Sequence, residues 1–311
     1  MRCRAKIDSS AGFTLIELSI VLVIIGLIVG GILTGRELIR TAGIRSTIAQ
    51  IEKYNTAVNT FRVKYGALPG DLNASAASQF GFVARGSYAG EGDGNGVIEG
   101  VDSNAAGHNS GTIGAAGETV TFWVDLSTAK LIDGSFTTGS STSTFGYMDL
   151  NTTVSFPAIM PPAKLGNGNY IFVWSGGWQA FSSTGNGQNY FGLAAMYSIS
   201  SPGNYYSNPG LTVAQASAMD AKMDDGLPQS GRVLALYPYN GTVYWSAGGG
   251  GAGMGNVGDS AWPSGGPDTA ATAASAVTCY DNGNVGGKTQ KYSVGSVTGD
   301  NINCELAFQF Q

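Results

Sequence analysis

From residue 13 to residue 35 the chain reads FTLIELSIVLVIIGLIVGGILTG, an apolar run broken by one charge, Glu17. As a helix rising about 1.5 Å per residue, this run spans roughly 34 Å, enough to cross a bilayer. Beyond it, Ile44, Ile48, Ile51, Asn55, Val58, Phe61 and Tyr65 step by three or four positions. Only Asn55 interrupts the stripe, so the pattern predicts an amphipathic helix facing a core. Gly66 and the Pro69-Gly70 pair supply its stop. One helix is therefore predicted over 13–65, apolar through 13–35 and amphipathic through 36–65.

The remainder, 66–311, reads as a globular head. Residues 66–116 are rich in Gly, Asn and Asp and predict loops. A short helix is expected over 118–134, with Phe122, Leu126 and Ala129 on one face and Gly134 as its stop. Strand-like runs follow at 154–159, 170–174, 178–181 and 190–198. A second short helix is expected over 213–224, opened by a Thr212/Gln215 capping box and ended by Gly226. Runs at 232–237 and 242–246 flank Asn240-Gly241, a hairpin signal. Residues 247–276 are Gly/Ala/Ser-rich, with Trp262 as the main apolar side chain, and predict an exposed loop. The fold class is α+β, a β-rich head on a long N-terminal helix.

Composition narrows the function. The 311 residues carry 16 Lys or Arg against 21 Asp or Glu, a net charge of −5. That balance argues against a general nucleic-acid binder, which needs a basic face, and no nucleic-acid partner is expected. One His, His108 in a GHNSG loop, excludes paired-His chemistry. Asp224-Asp225-Gly226 reads as a helix end rather than a catalytic carboxylate pair. No phosphate loop or nucleophile constellation occurs, so the chain is not expected to be an enzyme.

The leader MRCRAKIDSSAG precedes the apolar run, and its Arg2, Arg4 and Lys6 outweigh Asp8. Basic residues on that side hold it in the cytoplasm and send the rest across. A secretory signal would be cut after its apolar region, but nothing of the A-x-A kind follows Gly35. The small-residue junction Ala11-Gly12 stands before the run instead. Glu17 needs a partner, because a carboxylate at membrane depth costs a few kcal/mol. No Lys or Arg lies between Phe13 and Gly35. A cut after Gly12 would free an amine at Phe13, and a neighbouring subunit's amine could then meet Glu17. The rival reading is a Glu17 near the interface, reaching the headgroups. Gly26 and Gly30, like Gly31 and Gly35, stand four apart, a spacing that admits close helix packing. Glycine is also common in membrane helices generally.

Gly12-Phe13-Thr14-Leu15-Ile16-Glu17 before an apolar helix resembles the signature of type IV pilins and type II secretion pseudopilins. The segments KYGALPGDL and E…FW.DL..A.LI.G also resemble recurrent stretches of pilin-like proteins. The resemblance implies cleavage after Gly12 by a prepilin peptidase/methyltransferase and N-methylation of Phe13. It implies a register role for Glu17 in a helical filament. The implied partners are other pilin or pseudopilin subunits, an inner-membrane assembly platform and the membrane. The implied location is the inner membrane, with one span and the head outside the cytoplasm, and then a pilus or pseudopilus in the periplasm or at the cell surface. Two departures stand out. Ala11 replaces the usual Lys or Arg before the glycine, and Thr34 stands where many major pilins carry Pro. The length of the chain favours a minor or tip subunit. The alternative is a tethered ligand-binding or adhesin head that never polymerises.

Residues 91–102, EGDGNGVIEGVD, align with an EF-hand loop. Glu91, Asp93, Asn95, Val97, Glu99 and Asp102 would be its calcium ligands, and Gly96 sits where the loop turns sharply. Glu91 and Asp102 depart from the usual Asp and Glu, and an acidic glycine-rich turn without metal is the competing reading. Cys3 lies in the leader, leaving Cys279 and Cys304, both placed outside the cytoplasm where oxidation is possible. A bridge between them would contribute roughly 3–4 kcal/mol by chain entropy. It matches the disulfide-closed C-terminal loop of many pilins, and two buried thiols are the alternative.

Overall fold

The computed structural model describes residues 14–86, 90–100, 116–137, 148–149, 156–176, 187–200, 204–239, 242–246 and 271–310. Helix α1 runs Leu15–Tyr65 without a break. No proline interrupts it, and it stops at Gly66, whose φ is 78° and whose N–H reaches Arg62 O at 2.9 Å. The chain divides into two compact units, Met1–Gly43 and Ile44–Gln311. In the first, every large apolar side chain from Leu15 to Ile39 is exposed. Helix α1 is long and apolar enough to cross a membrane.

In the second unit α1 becomes a core helix. Of the predicted stripe, Ile44, Ile51, Val58 and Phe61 are buried, joined by Thr47, Tyr54 and Ala57, while Ile48, Asn55 and Tyr65 are only half-buried. Helix α2 (Ala74–Phe80) forms where loop was expected, capped by Asn73 Oδ1 at one end and by Gly81 in the left-handed region at the other. Helix α3 (Glu118–Thr128) is shorter than predicted. Lys130 takes φ 57°, so the chain leaves the helix before Gly134. Trp123 of α3 meets Tyr54 edge-on at 5.1 Å, tying α3 to α1.

Strand β1 (Met148–Asp149) precedes α4 (Phe156–Ile159). The run 154–159 was expected to be a strand, but its described part is helical, with Pro157 in the first turn where its fixed φ suits a helix. Then come β2 (Asn169–Ser175), β3 (Asn189–Ser200), β4 (Asn204–Asn208), β5 (Leu211–Thr212) and α5 (Val213–Met223). The capping box at Thr212 and Gln215 opens α5 as predicted. The run 232–237 breaks at Ala235 into β6 (Val233–Leu234) and β7 (Leu236–Tyr239), and β8 (Thr242–Trp245) follows. Residues 178–181, the turn Asn240-Gly241 and Trp262 lie outside the described residues.

Eight strands form one antiparallel sheet in the order β6-β12-β3-β4-β7-β8, with β1 and β2 also pairing with β3. Strand β12 (Leu306–Gln309) lies between β3 and β6. Phe191 and Phe310, 4.4 Å apart, carry the core from this sheet towards Phe122 of α3. Two small sheets complete the head, β9 (Tyr280–Asp281) with β10 (Lys291–Tyr292) and β5 with β11 (Ile302–Cys304). Cys279 and Cys304 are bonded and fully buried, joining these two small sheets.

Candidate functional site

The apolar half of α1 carries three polar side chains, Glu17, Ser19 and Thr34, and with Thr14 just before the helix each is bonded locally. Thr14 N–H and Thr14 Oγ1 both donate to Glu17 Oε2, at 2.9 and 2.8 Å, and Glu17 N–H returns to Thr14 Oγ1 at 3.3 Å. This is a capping box, with Thr14 as N-cap and Glu17 three residues on. Ser19 Oγ donates to Ile16 O, and Thr34 Oγ1 to Gly30 O. Internal bonding of this kind is what a helix in hydrocarbon requires. A Cβ added at Gly26, Gly30, Gly31 or Gly35 would meet nothing within 4 Å, so those faces of the helix are open to a neighbour. Gly12 and Phe13 lie outside the described residues.

A second site forms in the head, where the two segments flagged by the resemblance meet. Gly70 adopts φ +86°, and a Cβ there would sit 2.5 Å from Glu118 O. Its N–H donates to Asp125 Oδ2 at 2.7 Å. The close approach sets Asp71 beside the first turn of α3. One carboxylate oxygen each from Asp71, Asp93 and Glu118 then lie within 4.8 Å of one another.

The loop from Glu91 to Glu99 wraps these carboxylates with its backbone. Gly94 and Asn95 N–H groups donate to Asp71 Oδ1 at 2.8 and 3.1 Å, and Gly96 N–H to Asp71 Oδ2 at 2.9 Å. Gly92 and Asp93 N–H groups donate to Glu118 Oε1 at 3.0 and 3.3 Å, and Glu99 N–H to Glu118 Oε2 at 2.9 Å. Gly92, Gly94 and Gly96 all have positive φ, so alternate peptides turn inward as a nest. Asn189 at the start of β3 anchors the loop, donating to Gly96 O and accepting from Ile98 N–H.

Electrostatics sets this site apart. Burial pushes the Asp71 carboxyl up to about 7, against three backbone hydrogen bonds and with help from the Asp93 charge. Glu118 is also raised well above the ordinary range, first by burial and then by Asp71, Asp93 and Glu99. Asp125 is also raised by burial, against the Arg85 guanidinium that pairs with it. Asn95 Nδ2 bonds Asp93 Oδ2 at 3.1 Å and approaches Glu99 Oε2 at 3.5 Å, so these three expected ligands stand together. Glu91 is buried with its carboxylate against the backbone of Gly86. Asp102 lies outside the described residues. Asp71 and Glu118 were not in the sequence-derived set, because neither stands at a loop spacing from Asp93.

A further trio, Asp220, Asp224 and Asp225, organises the end of α5. Asp224 Oδ2 accepts from Val233 N–H at 3.1 Å, and Asp225 accepts from Leu227 N–H and Ser230 Oγ. Asp220 accepts from Gly226 N–H and Tyr292 Oη, and burial pushes it up to about 7. These carboxylates serve as turn and cap acceptors, as expected for a helix end. His108 lies outside the described residues.

Residues 7–33 match the family described as the prokaryotic N-terminal methylation motif, the type IV pilin and pseudopilin signature. No curated protein matches the chain, and no solved structure does. The motif supports a pilin or pseudopilin subunit, and so a structural role rather than an enzymatic one. It implies processing by a prepilin peptidase and assembly with other pilin subunits. With the apolar helix it fits a single-pass, membrane-anchored protein with an extracytoplasmic head.

Proposed function

We propose that this chain is a subunit of a type IV pilus or a type II secretion pseudopilus, assembled through the apolar half of α1. The observation that carries the reading is the methylation motif at 7–33, leading into a helix whose apolar face is exposed and whose polar groups are bonded internally. The peptidase cuts between Gly12 and Phe13 and methylates the new amine of Phe13. Glu17 keeps its place in the capping box and offers its other oxygen to the amine of an adjacent subunit. Each buried charge is then compensated on assembly. Gly26 and Gly30 let helices approach closely. The inner-membrane platform supplies the force for extraction. The size of the head favours a minor or tip subunit. Deleting the prepilin peptidase should leave the leader attached and the chain confined to membranes. A chain that stays in the membrane and out of every filament even with the peptidase present would favour the rival, a tethered adhesin or ligand-binding head.

The head also offers a calcium site. Its support is the EF-hand-like spacing at 91–99 together with convergence of Asp71, Asp93 and Glu118 from three parts of the chain. All donors are hard oxygens, which suits calcium, and the Asn95 side chain and Val97 carbonyl belong to the same loop. Calcium would offset the burial and mutual repulsion that raise Asp71 and Glu118. Isothermal titration of calcium into the full chain in detergent tests this. Heat that vanishes in Asp71→Asn supports the site, and no binding at millimolar calcium removes it.

A further inference from the structure

Glu305 has a hydrogen-bond arrangement that neither assembly nor calcium uses. It stands between β11 and β12, directly after Cys304, and is 1% exposed. Its Oε2 lies 2.8 Å from Ser207 Oγ on β4. That same hydroxyl lies 2.9 Å from the carbonyl oxygen of Pro238 on β7. A hydroxyl has one proton to give. Given to Pro238, it leaves Ser207 Oγ facing a carboxylate oxygen with lone pairs on both sides. Given to Glu305, it leaves the Pro238 carbonyl facing a bare hydroxyl oxygen. A proton on Glu305 resolves both contacts. Oε2–H then donates to Ser207 Oγ, and Ser207 Oγ–H donates to Pro238 O.

The surroundings favour the neutral form. Strands β2, β3, β4, β6, β7, β8 and β12 contain no Asp, Glu, Lys, Arg or His. Their titratable groups are tyrosines, among them Tyr190 and Tyr197 on β3, Tyr205 and Tyr206 on β4, and Tyr237 and Tyr239 on β7. The acid of the sheet, Asp149 on β1, pairs with Ser198, whereas β12 pairs with β3 at Tyr190 to Leu193. No described cation forms an ion pair with Glu305. Its other oxygen, Oε1, is buried and accepts no hydrogen bond from the described residues, a large cost for an anion and a smaller one for a neutral carbonyl. Burial pushes the carboxyl well above the ordinary glutamate range, with only the Ser207 bond opposing.

We propose that Glu305 is a buried neutral acid, a proton-held latch that joins the end of the disulfide-bonded strand β11 to β4 and β7 through Ser207. Loss of that proton leaves the single Ser207 proton between two acceptors, so one of the two contacts is lost and the latch opens, and alkaline conditions loosen the C-terminal strand.

The test uses the full chain in detergent with its disulfide intact. Unfolding returns Glu305 to an ordinary glutamate near pH 4.3 and so releases one proton. Above that pH the unfolding constant gains about tenfold per pH unit from this group until Glu305 itself ionises. Glu305→Gln keeps an N–H donor for Ser207 and removes the titration. The wild-type/variant ratio of urea unfolding constants should therefore climb about tenfold per unit from pH 5 to 7. Infrared spectra at pH 7 should show the C=O stretch of an un-ionised carboxylic acid that Glu305→Gln removes. A flat ratio, or no band lost, overturns the proposal. Should Glu305→Gln fail to fold, the same band is read in Ser207→Ala. There it should move to higher frequency as its hydrogen bond is lost, and an unmoved spectrum overturns the latch.

Discussion

Thr14 and Glu17 cap each other at the first turn of α1, with one carboxylate oxygen of Glu17 accepting both the N–H and the hydroxyl of Thr14. A cut after Gly12 leaves both partners on the mature chain. The cap therefore survives processing and holds Glu17 at a fixed point of the helix surface, while the new amine appears one residue before Thr14. Charge and cap are separable by mutation. Glu17→Gln keeps an acceptor for Thr14 and should leave cleavage intact, yet lower the chain's share of sheared filaments about tenfold when wild-type subunits are present. Equal incorporation of Glu17→Gln and wild type would show that the cap alone matters.

The acidic site in the head makes stability depend on pH in a definite direction. Asp71 is raised by burial, so its contribution is complete below the ordinary aspartate range and is lost as pH rises through about 7. Metal-free protein should therefore melt at lower temperature at pH 8 than at pH 5.5. Calcium needs both carboxylates ionised, so the increase in melting temperature it produces should grow over the same interval. Glu118→Gln should remove most of that increase. A calcium effect independent of pH would place the ion elsewhere.

Gly70 holds the site together by geometry. Gly70→Ala adds a carbon 2.5 Å from Glu118 O at a φ of +86°, so either the turn or α3 must move. A loss of about 2 kcal/mol or more is expected in urea unfolding, along with weaker calcium binding. A loss below about 0.5 kcal/mol would mean that the turn relaxes freely.

Replacing Cys279 and Cys304 together by Ser should cost about 3–4 kcal/mol, since 25 residues of separation are no longer closed in the unfolded chain. Helix α1 should keep its far-ultraviolet circular dichroism, because the bridge closes the C-terminal loop and not the helix. Loss of helical signal in parallel would show a wider dependence on the C-terminal loop.

Features carried by local periodicity were legible in the sequence. Ile44, Ile51, Val58 and Phe61 of the stripe marked the buried face of α1, with Ile48, Asn55 and Tyr65 at its half-buried margin, and Thr212 with Gln215 marked the start of α5. Helix α2 was also marked locally, by Asn73 and Gly81, although the polar, small residues around it read as loop. The short apolar run ending in Phe156-Pro157-Ala158-Ile159 carries no period long enough to tell a strand from a helical turn. The oxygen-bearing loop residues Asp93, Asn95 and Glu99 were visible from their spacing. Asp71 and Glu118 were not, because only the close approach at Gly70 brings them to that loop. Glu305 was silent for the same reason, since its partner Ser207 stands 98 positions away.

The most direct measurement is the intact mass of the chain recovered from sheared filaments of the native cell. The expected result is a polypeptide that begins at Phe13, carries one added methyl group and lacks residues 1–12. A chain that retains its leader, found in membranes and absent from every filament, would contradict it.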